Sequence, residues 1–136
     1  MVAELTPTAL DGSLPAVIQR QCDRLSAETG ISVTMHADDD LPTLGMATDV
    51  VLLRAAQESF ANIRKHAQAT TVAVELSSCD GGVRLSLADN GIGLIEGHVE
   101  GFGLRGMRAR VAQVGGSMSL SPTTSGGTTL TVEVPA

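Results

Sequence analysis

The sequence predicts an α+β domain, a two-layer sandwich in which about three helices pack on one face of a roughly five-stranded mixed sheet. Two segments, one opening at Leu14 and one at about Ala47, space apolar residues at three and four, the period of an amphipathic helix. Between residues 72 and 87, and again between 118 and 134, the period switches to two, as in strands with one face against a core. Because these strands alternate apolar with polar residues, helices are expected to cover only one face of the sheet.

In chain order, residues 1–13 are mixed, with Pro7 and Gly12 interrupting any helix. The first helix opens at Leu14, where Leu14, Val17, Ile18, Cys22 and Leu25 share a face. Ser13 suits its N-cap, Pro15 its first turn, and Gly30 a stop just past its end. Ile31 to Met35 reads as a short strand, and Asp38-Asp39-Asp40-Leu41-Pro42 as a solvated loop without the ligand spacing of a calcium site. The helix from about Ala47 to Ala67 carries the stripe Leu52, Leu53, Ala56, Phe60, Ile63 and Ala67. Val72, Val74 and Leu76, then Val83, Leu85 and Leu87, form a hairpin across Cys79-Asp80-Gly81-Gly82. After a glycine-rich stretch over 89–106 comes a helix with the face Leu104, Met107, Val111 and Val114, ending at Gly115-Gly116. Met118 and Leu120, then Leu130, Val132 and Val134, make a second hairpin around a turn at 122–127.

At 136 residues, 43% apolar, the chain suits one folded domain. Net charge −6 and the absence of Trp and Tyr disfavour nucleic acid, which asks for a basic footprint and stacking platforms. Cys22 and Cys79 form no CxxC pair, which fits a reducing cytoplasm. No apolar run approaches the roughly 18 residues of a membrane span, so no membrane contact by this domain is expected.

Four polar residues of the long helix, Glu58, Asn62, Lys65 and His66, fall on the side opposite the apolar stripe. A carboxylate, an amide oxygen, an ammonium and an imidazole there can hold a metal ion and phosphates, or can simply form a solvated face. Asp89-Asn90-Gly91-Ile92-Gly93 leaves a strand. Its glycines let backbone approach a flat ligand while the carboxylate accepts hydrogen bonds, although the same residues make ordinary turns. Gly101-Phe102-Gly103-Leu104-Arg105-Gly106 opens a helix whose N-terminal amides suit phosphate. It follows no strand of a βαβ unit, so it is not a dinucleotide fingerprint.

The order and spacing of these pieces, closing with Gly127-Thr128, resemble the Bergerat-type ATPase fold of gyrase, a heat-shock chaperone, mismatch-repair proteins and histidine kinases. Gln57-Glu58-Ser59-Phe60-Ala61-Asn62-Ile63-Arg64-Lys65-His66-Ala67 and Gly103-Leu104-Arg105-Gly106-Met107-Arg108-Ala109-Arg110 resemble the nitrate/nitrite-sensor class of histidine kinases. The resemblance covers about residues 5–136, and Leu5-Thr6-Pro7-Thr8-Ala9-Leu10 is similar to the segment where that class leaves its dimerisation helices. It implies that residues 1–13 are a linker remnant and 14–136 the catalytic domain.

By that resemblance Asp89 meets the adenine amino group, Thr128 helps through water, and Gly91 and Gly93 shape the floor. Asn62 coordinates Mg²⁺, which binds through ATP, while Lys65 approaches the phosphates and His66 is a further ATP-binding residue. Gly101, Gly103 and Leu104 belong to the lid over the phosphate tail, and Glu58 matches a general-base position of hydrolysing relatives. Only seven residues, Leu94 to Glu100, separate Gly93 from Gly101, where many histidine kinases carry an additional Phe-centred box. None of His36, His66 and His98 is a candidate phosphoacceptor.

The implied function is an ATP-binding catalytic domain that phosphorylates a histidine on a separate dimerisation domain for relay to a response regulator. The implied location is cytoplasmic, with an isolated domain that is monomeric. Two further readings are a free-standing anti-sigma-factor serine kinase of the same fold and a non-catalytic nucleotide-sensing module. Glu58, Asn62 and Lys65 argue against the second, and the linker-like Leu5 to Leu10 against the first.

Overall fold

The computed structural model describes residues 12–92, 102–124 and 126–136, with only the backbone of His66, Ala67 and Phe102. The expectations for residues 1–11, Gly93, the segment 94–100 with His98, and Gly101 lie outside the described residues.

Helix α1 (Leu14–Thr29) starts and stops where its caps dictate. Ser13 is extended and its hydroxyl accepts from the Ala16 amide at 3.3 Å; Gly30 closes the helix at φ 78°, donating to the Ser26 carbonyl. The five predicted apolar residues are all buried. Strand β1 is Ser32–Ala37, starting later and running further than the predicted Ile31 to Met35. Pairing sets these bounds: Ser32 donates to the Thr70 carbonyl and Asp38 to the Leu76 carbonyl, while Ile31 is a buried anchor before the strand. Asp38 is also more than loop surface, because its Oδ2 accepts from the Ser78 amide at 3.0 Å.

Helix α2 (Met46–Asn62) buries Leu52, Leu53, Ala56 and Phe60 as predicted. It ends earlier than the periodicity suggests, passing into a single π-helical turn over Ile63–Ala67 that closes at Gln68 with φ 53°. Arg64 in that turn pairs with Glu28 of α1 at 2.8 Å. Strands β2 (Thr71–Cys79) and β3 (Gly82–Asp89) form the predicted hairpin, with positive φ at both Asp80 and Gly81, the two-residue turn that matches strand twist. Helix α3 (Phe102–Gln113) buries Met107 and Val111 and is tied to the next strand by Arg108, whose Nη1 donates to the Met118 carbonyl at 2.6 Å. Strands β4 (Ser117–Pro122) and β5 (Thr128–Val134) complete the second hairpin.

The sheet order is β1-β2-β3-β5-β4, parallel between β1 and β2 and antiparallel elsewhere. Val72, Val74 and Leu76, Val83, Leu85 and Leu87, and Leu130, Val132 and Val134 form a buried row on one face. Thr71, Ala73, Glu75 and Arg84 on the other face are exposed. The three helices and the five-stranded mixed sheet are those of the sequence prediction.

Candidate functional site

The alternation that buries Val83, Leu85 and Leu87 puts the next odd residue, Asp89, on the core side at the end of β3. It is 8% exposed, and it is the only buried charged residue among those described. Its Oδ1 accepts from the Gly91 amide at 2.8 Å, with the Thr128 amide further off at 3.4 Å. No described residue donates to its Oδ2. A buried carboxylate oxygen without a donor carries a desolvation cost, and a flat ligand bearing an amino group would remove it.

Two neighbours hold that carboxylate. Asn90 is clamped to the start of β2: its Oδ1 accepts from the amides of Thr70 and Thr71 at 2.8 and 3.0 Å, and its Nδ2 donates to Thr70 Oγ1 at 2.8 Å. Gly127 is buried directly against Asp89, where a β-carbon would overlap the Asp89 carbonyl and crowd Oδ1. Asp89, Gly91 and Thr128 are therefore brought together, with Asn90 and Gly127 as their frame.

The second group lies along α2. Glu58 and Asn62 are half-buried, one turn apart on the same face, and Lys65 is exposed in the π turn. The Asn62 amide has no hydrogen-bond partner among the described residues. Gly103 brings α3 onto this face, so close that any β-carbon would collide with the Glu58 carboxylate. Leu104 is half-buried beside it. A pocket of about 160 Å³ opens between the two helices, lined by Val51, Arg54, Gln57, Glu58, Gly103, Met107 and Arg110.

The two groups are joined through the chain itself. Val72 of β2, a short link after the π turn, pairs with Asp89, so the C-terminal end of α2 adjoins the Asp89 end of the sheet. From there Asn62, Glu58 and Arg54 step away along α2 at about 6 Å per four residues.

One expectation needs correction. The regular four-residue spacing of Glu58, Asn62 and His66 assumes an unbroken α-helix, and the π turn ends that register after Asn62. A wider turn there shifts the direction of every residue from Ile63 onward. The sequence reading also assigned no role to Asn90, Arg54 or Arg110. The Asp-Asn-Gly run signals Asn90 only as turn chemistry; the signal for Arg54 is its place four residues before Glu58 on the same helix.

Among the described residues no three His, Cys, Asp or Glu converge as a metal site, and no helix is long and apolar enough to cross a membrane. Comparison with known proteins gives the family. Histidine kinase-, DNA gyrase B-, and HSP90-like ATPases match over residues 48–136. The chain is 34% identical to the sensor histidine kinase MctS of Rhizobium johnstonii over 97% of its own length and 30% of the relative's. It is 33% identical to the nitrate/nitrite sensor protein NarQ of Escherichia coli over 92% and 23%. It thus spans less than a third of either relative. The histidine kinase domain of a blue-light activated histidine kinase from Erythrobacter litoralis shares the fold at a TM-score of 0.76 and 20% identity, covering 96% of this chain and 64% of that one. With its motifs and fold in agreement over most of its length, the chain belongs to the family of histidine kinase-, DNA gyrase B- and HSP90-like ATPases.

Proposed function

We propose that this chain is the ATP-binding catalytic domain of a sensor histidine kinase, passing the γ-phosphoryl group of ATP to a histidine on a dimerisation domain for relay to a response regulator. In this reading residues 1–13 are the link to that domain, and the chain works in the cytoplasm. The observation that carries the reading is the buried Asp89, whose Oδ2 has no donor among the described residues. It suits the exocyclic amino group of adenine, with Gly91 giving the base room and Thr128 completing the polar edge.

The phosphates then run along α2 toward Asn62 and Glu58, with Lys65 and the Gly103-Leu104 start of α3 around them. The roles of His66, Gly93 and Gly101 rest on the sequence resemblance alone. Asn62, whose amide has no hydrogen-bond partner among the described residues, would hold Mg²⁺ together with the phosphates, and the ion would supply charge neutralisation, in keeping with its preference for few protein ligands. The protein's part is alignment: Asn62 and Lys65 fix the phosphate tail, and Glu58 faces the side from which an imidazole would approach. In the transfer a ring nitrogen bonds to the γ-phosphorus as the bond to the bridging oxygen breaks, and ADP leaves with that electron pair.

The test mixes the chain with γ-labelled ATP and a separately produced dimerisation domain. Acid-labile, base-stable label on that domain is expected. Acid-stable label on a serine of a sigma-factor antagonist, or no transfer by a chain that binds ATP, would overturn the reading.

A further inference from the structure

Charged side chains elsewhere on the described surface are mostly matched. Arg64 pairs with Glu28, Arg84 pairs with Glu133, and Arg108 bonds the Met118 carbonyl. The pocket between α2 and α3 instead gathers two arginines and a glutamate around one small volume. Arg54 from α2 and Arg110 from α3 line it together, and neither has an ion-pair partner among the described residues. Glu58 lines the same pocket, also unpaired, so its charged walls sum to one positive charge within a chain of net charge −6. Two arginines lining one small volume raise its positive potential, which an anionic group entering the pocket would lower.

The position of the pocket narrows what enters it. Beginning at Asp89, the site runs past the π turn to Asn62, then Glu58, then Arg54. The pocket lies at the far end of that line, the end to which the kinase reading assigns the phosphate tail. Its volume of about 160 Å³ admits a carboxylate group. The Glu58 carboxylate opposes a multiply charged phosphate more strongly than a single carboxylate. A carboxylate can take two parallel bonds from a guanidinium fork, and the Gln57 amide adds a neutral donor.

We propose that Arg54 and Arg110 form a docking pocket for an acidic side chain carried by the phosphoacceptor domain, seating that domain against the end of the phosphate line. The proposal rests on the kinase reading above and names the contact by which its partner is held. Arg54 and Arg110 are positioning residues: they hold the partner without touching the reacting atoms.

The 136-residue chain with Mg-ATP is titrated with the separately produced dimerisation domain, and ATP affinity is measured in parallel. Arg54→Ala and Arg110→Ala are each expected to weaken domain binding by about tenfold, the size of an anchoring interface arginine. The Michaelis constant for the acceptor domain should rise alike, with kcat at saturating acceptor near parent. Arg54→Lys, which keeps the charge and loses the fork, should fall between, while in the two alanine variants binding should become less sensitive to salt. ATP affinity should stay within about twofold. Arg24→Ala, which removes a charge from the exposed side of α1, should bind like the parent.

Parent-like domain binding by both arginine variants would overturn the proposal. So would a loss of ATP affinity with domain binding intact, since the pocket would then hold nucleotide phosphate. A parent chain that binds no ATP overturns the kinase reading first, a result visible before any arginine is changed.

Discussion

Gly127 stands so close to Asp89 that no side chain fits between them: a β-carbon at Gly127 would lie 2.5 Å from Asp89 Oδ1 and nearer still to its backbone carbonyl oxygen. The start of β5 is therefore pressed against the carboxylate at the end of β3. Gly127→Ala is expected to cost about 1–3 kcal/mol of stability, the usual range for forcing a methyl into a packed place. It should also displace the carboxylate and weaken ATP binding. Chemical denaturation alongside ATP titration checks both, and a fully stable variant would show that β5 yields easily at this point.

Asp89→Asn separates recognition from folding. The amide keeps an oxygen for the Gly91 amide, so the turn after β3 should survive. Its NH₂, however, faces the adenine amino group with donors where an acceptor stood. The expected loss is about 2–3 kcal/mol of nucleotide affinity, the range of a hydrogen bond to a charged group, with little change in thermal stability. Calorimetric titration of ATP into the variant decides it; normal affinity would make Asp89 a turn residue only.

Asn90 links that carboxylate to the start of β2 through three hydrogen bonds spanning twenty residues of sequence. Asn90→Ala removes all three, and water can replace part of the loss at this half-exposed position. Stability should fall by about 1–2 kcal/mol, less than three full bonds at roughly 0.5–1.5 kcal/mol each. Asn90→Asp keeps acceptors for both amides and can accept from the Thr70 hydroxyl, so it should recover most of the stability. Urea denaturation midpoints of the three proteins rank them, and equal loss in both variants would refute the clamp.

What the sequence could and could not disclose follows from the range of each interaction. Ser13, Pro15 and Gly30 act within a turn of themselves, so the bounds of α1 could be read directly. Alternation from Val72 to Leu87 and the Asp80-Gly81 turn were legible for the same reason. The ends of β1 depend on carbonyls of Thr70 and Leu76, nearly forty residues away, and no local pattern encodes them. The π turn likewise sits where Arg64 reaches across to Glu28 on α1. In the site, the motif residues stood out by spacing, but Asn90 looked like turn chemistry because its partners come twenty residues earlier. Arg54 and Arg110 share a pocket because α3 packs onto α2 with Gly103 against Glu58, a contact invisible without the fold.

Cys22 gives a prediction about pH. Burial within α1, with a smaller push from the Asp23 carboxylate, raises its thiol to about 11 from the ordinary 9.0. The folded protein then holds a proton that the unfolded chain releases earlier. Stability from this group is complete below pH 9.0 and declines as pH rises toward about 11, with a slope of at most about 1.4 kcal/mol per pH unit. Thermal denaturation at pH 8 and pH 10 should show the decline. Thiol labelling at pH 8 should reach Cys22 only on unfolding; rapid native labelling would contradict the burial.

Asn62→Ala is the sharpest test of the phosphate end, because Asn62 is half-buried on the face that carries Glu58, with no partner for its amide among the described residues. Removing that amide leaves the Asp89 end untouched and breaks no hydrogen bond to a described residue. Alanine also favours helix over asparagine by a few tenths of a kcal/mol, about 0.5 at most, so thermal stability should be unchanged or slightly raised. Binding of the nucleoside end without metal should persist. The extra ATP affinity conferred by Mg²⁺ should shrink toward zero, because the chain no longer contributes an oxygen to the metal. Transfer to a supplied dimerisation domain should fall far more than ATP binding does, since alignment of the phosphate tail is the protein's main contribution. The measurement is ATP affinity with and without Mg²⁺ in parent and variant. An equal Mg²⁺ increment in the two proteins would leave Asn62 as a polar residue of α2 with no part in holding the metal.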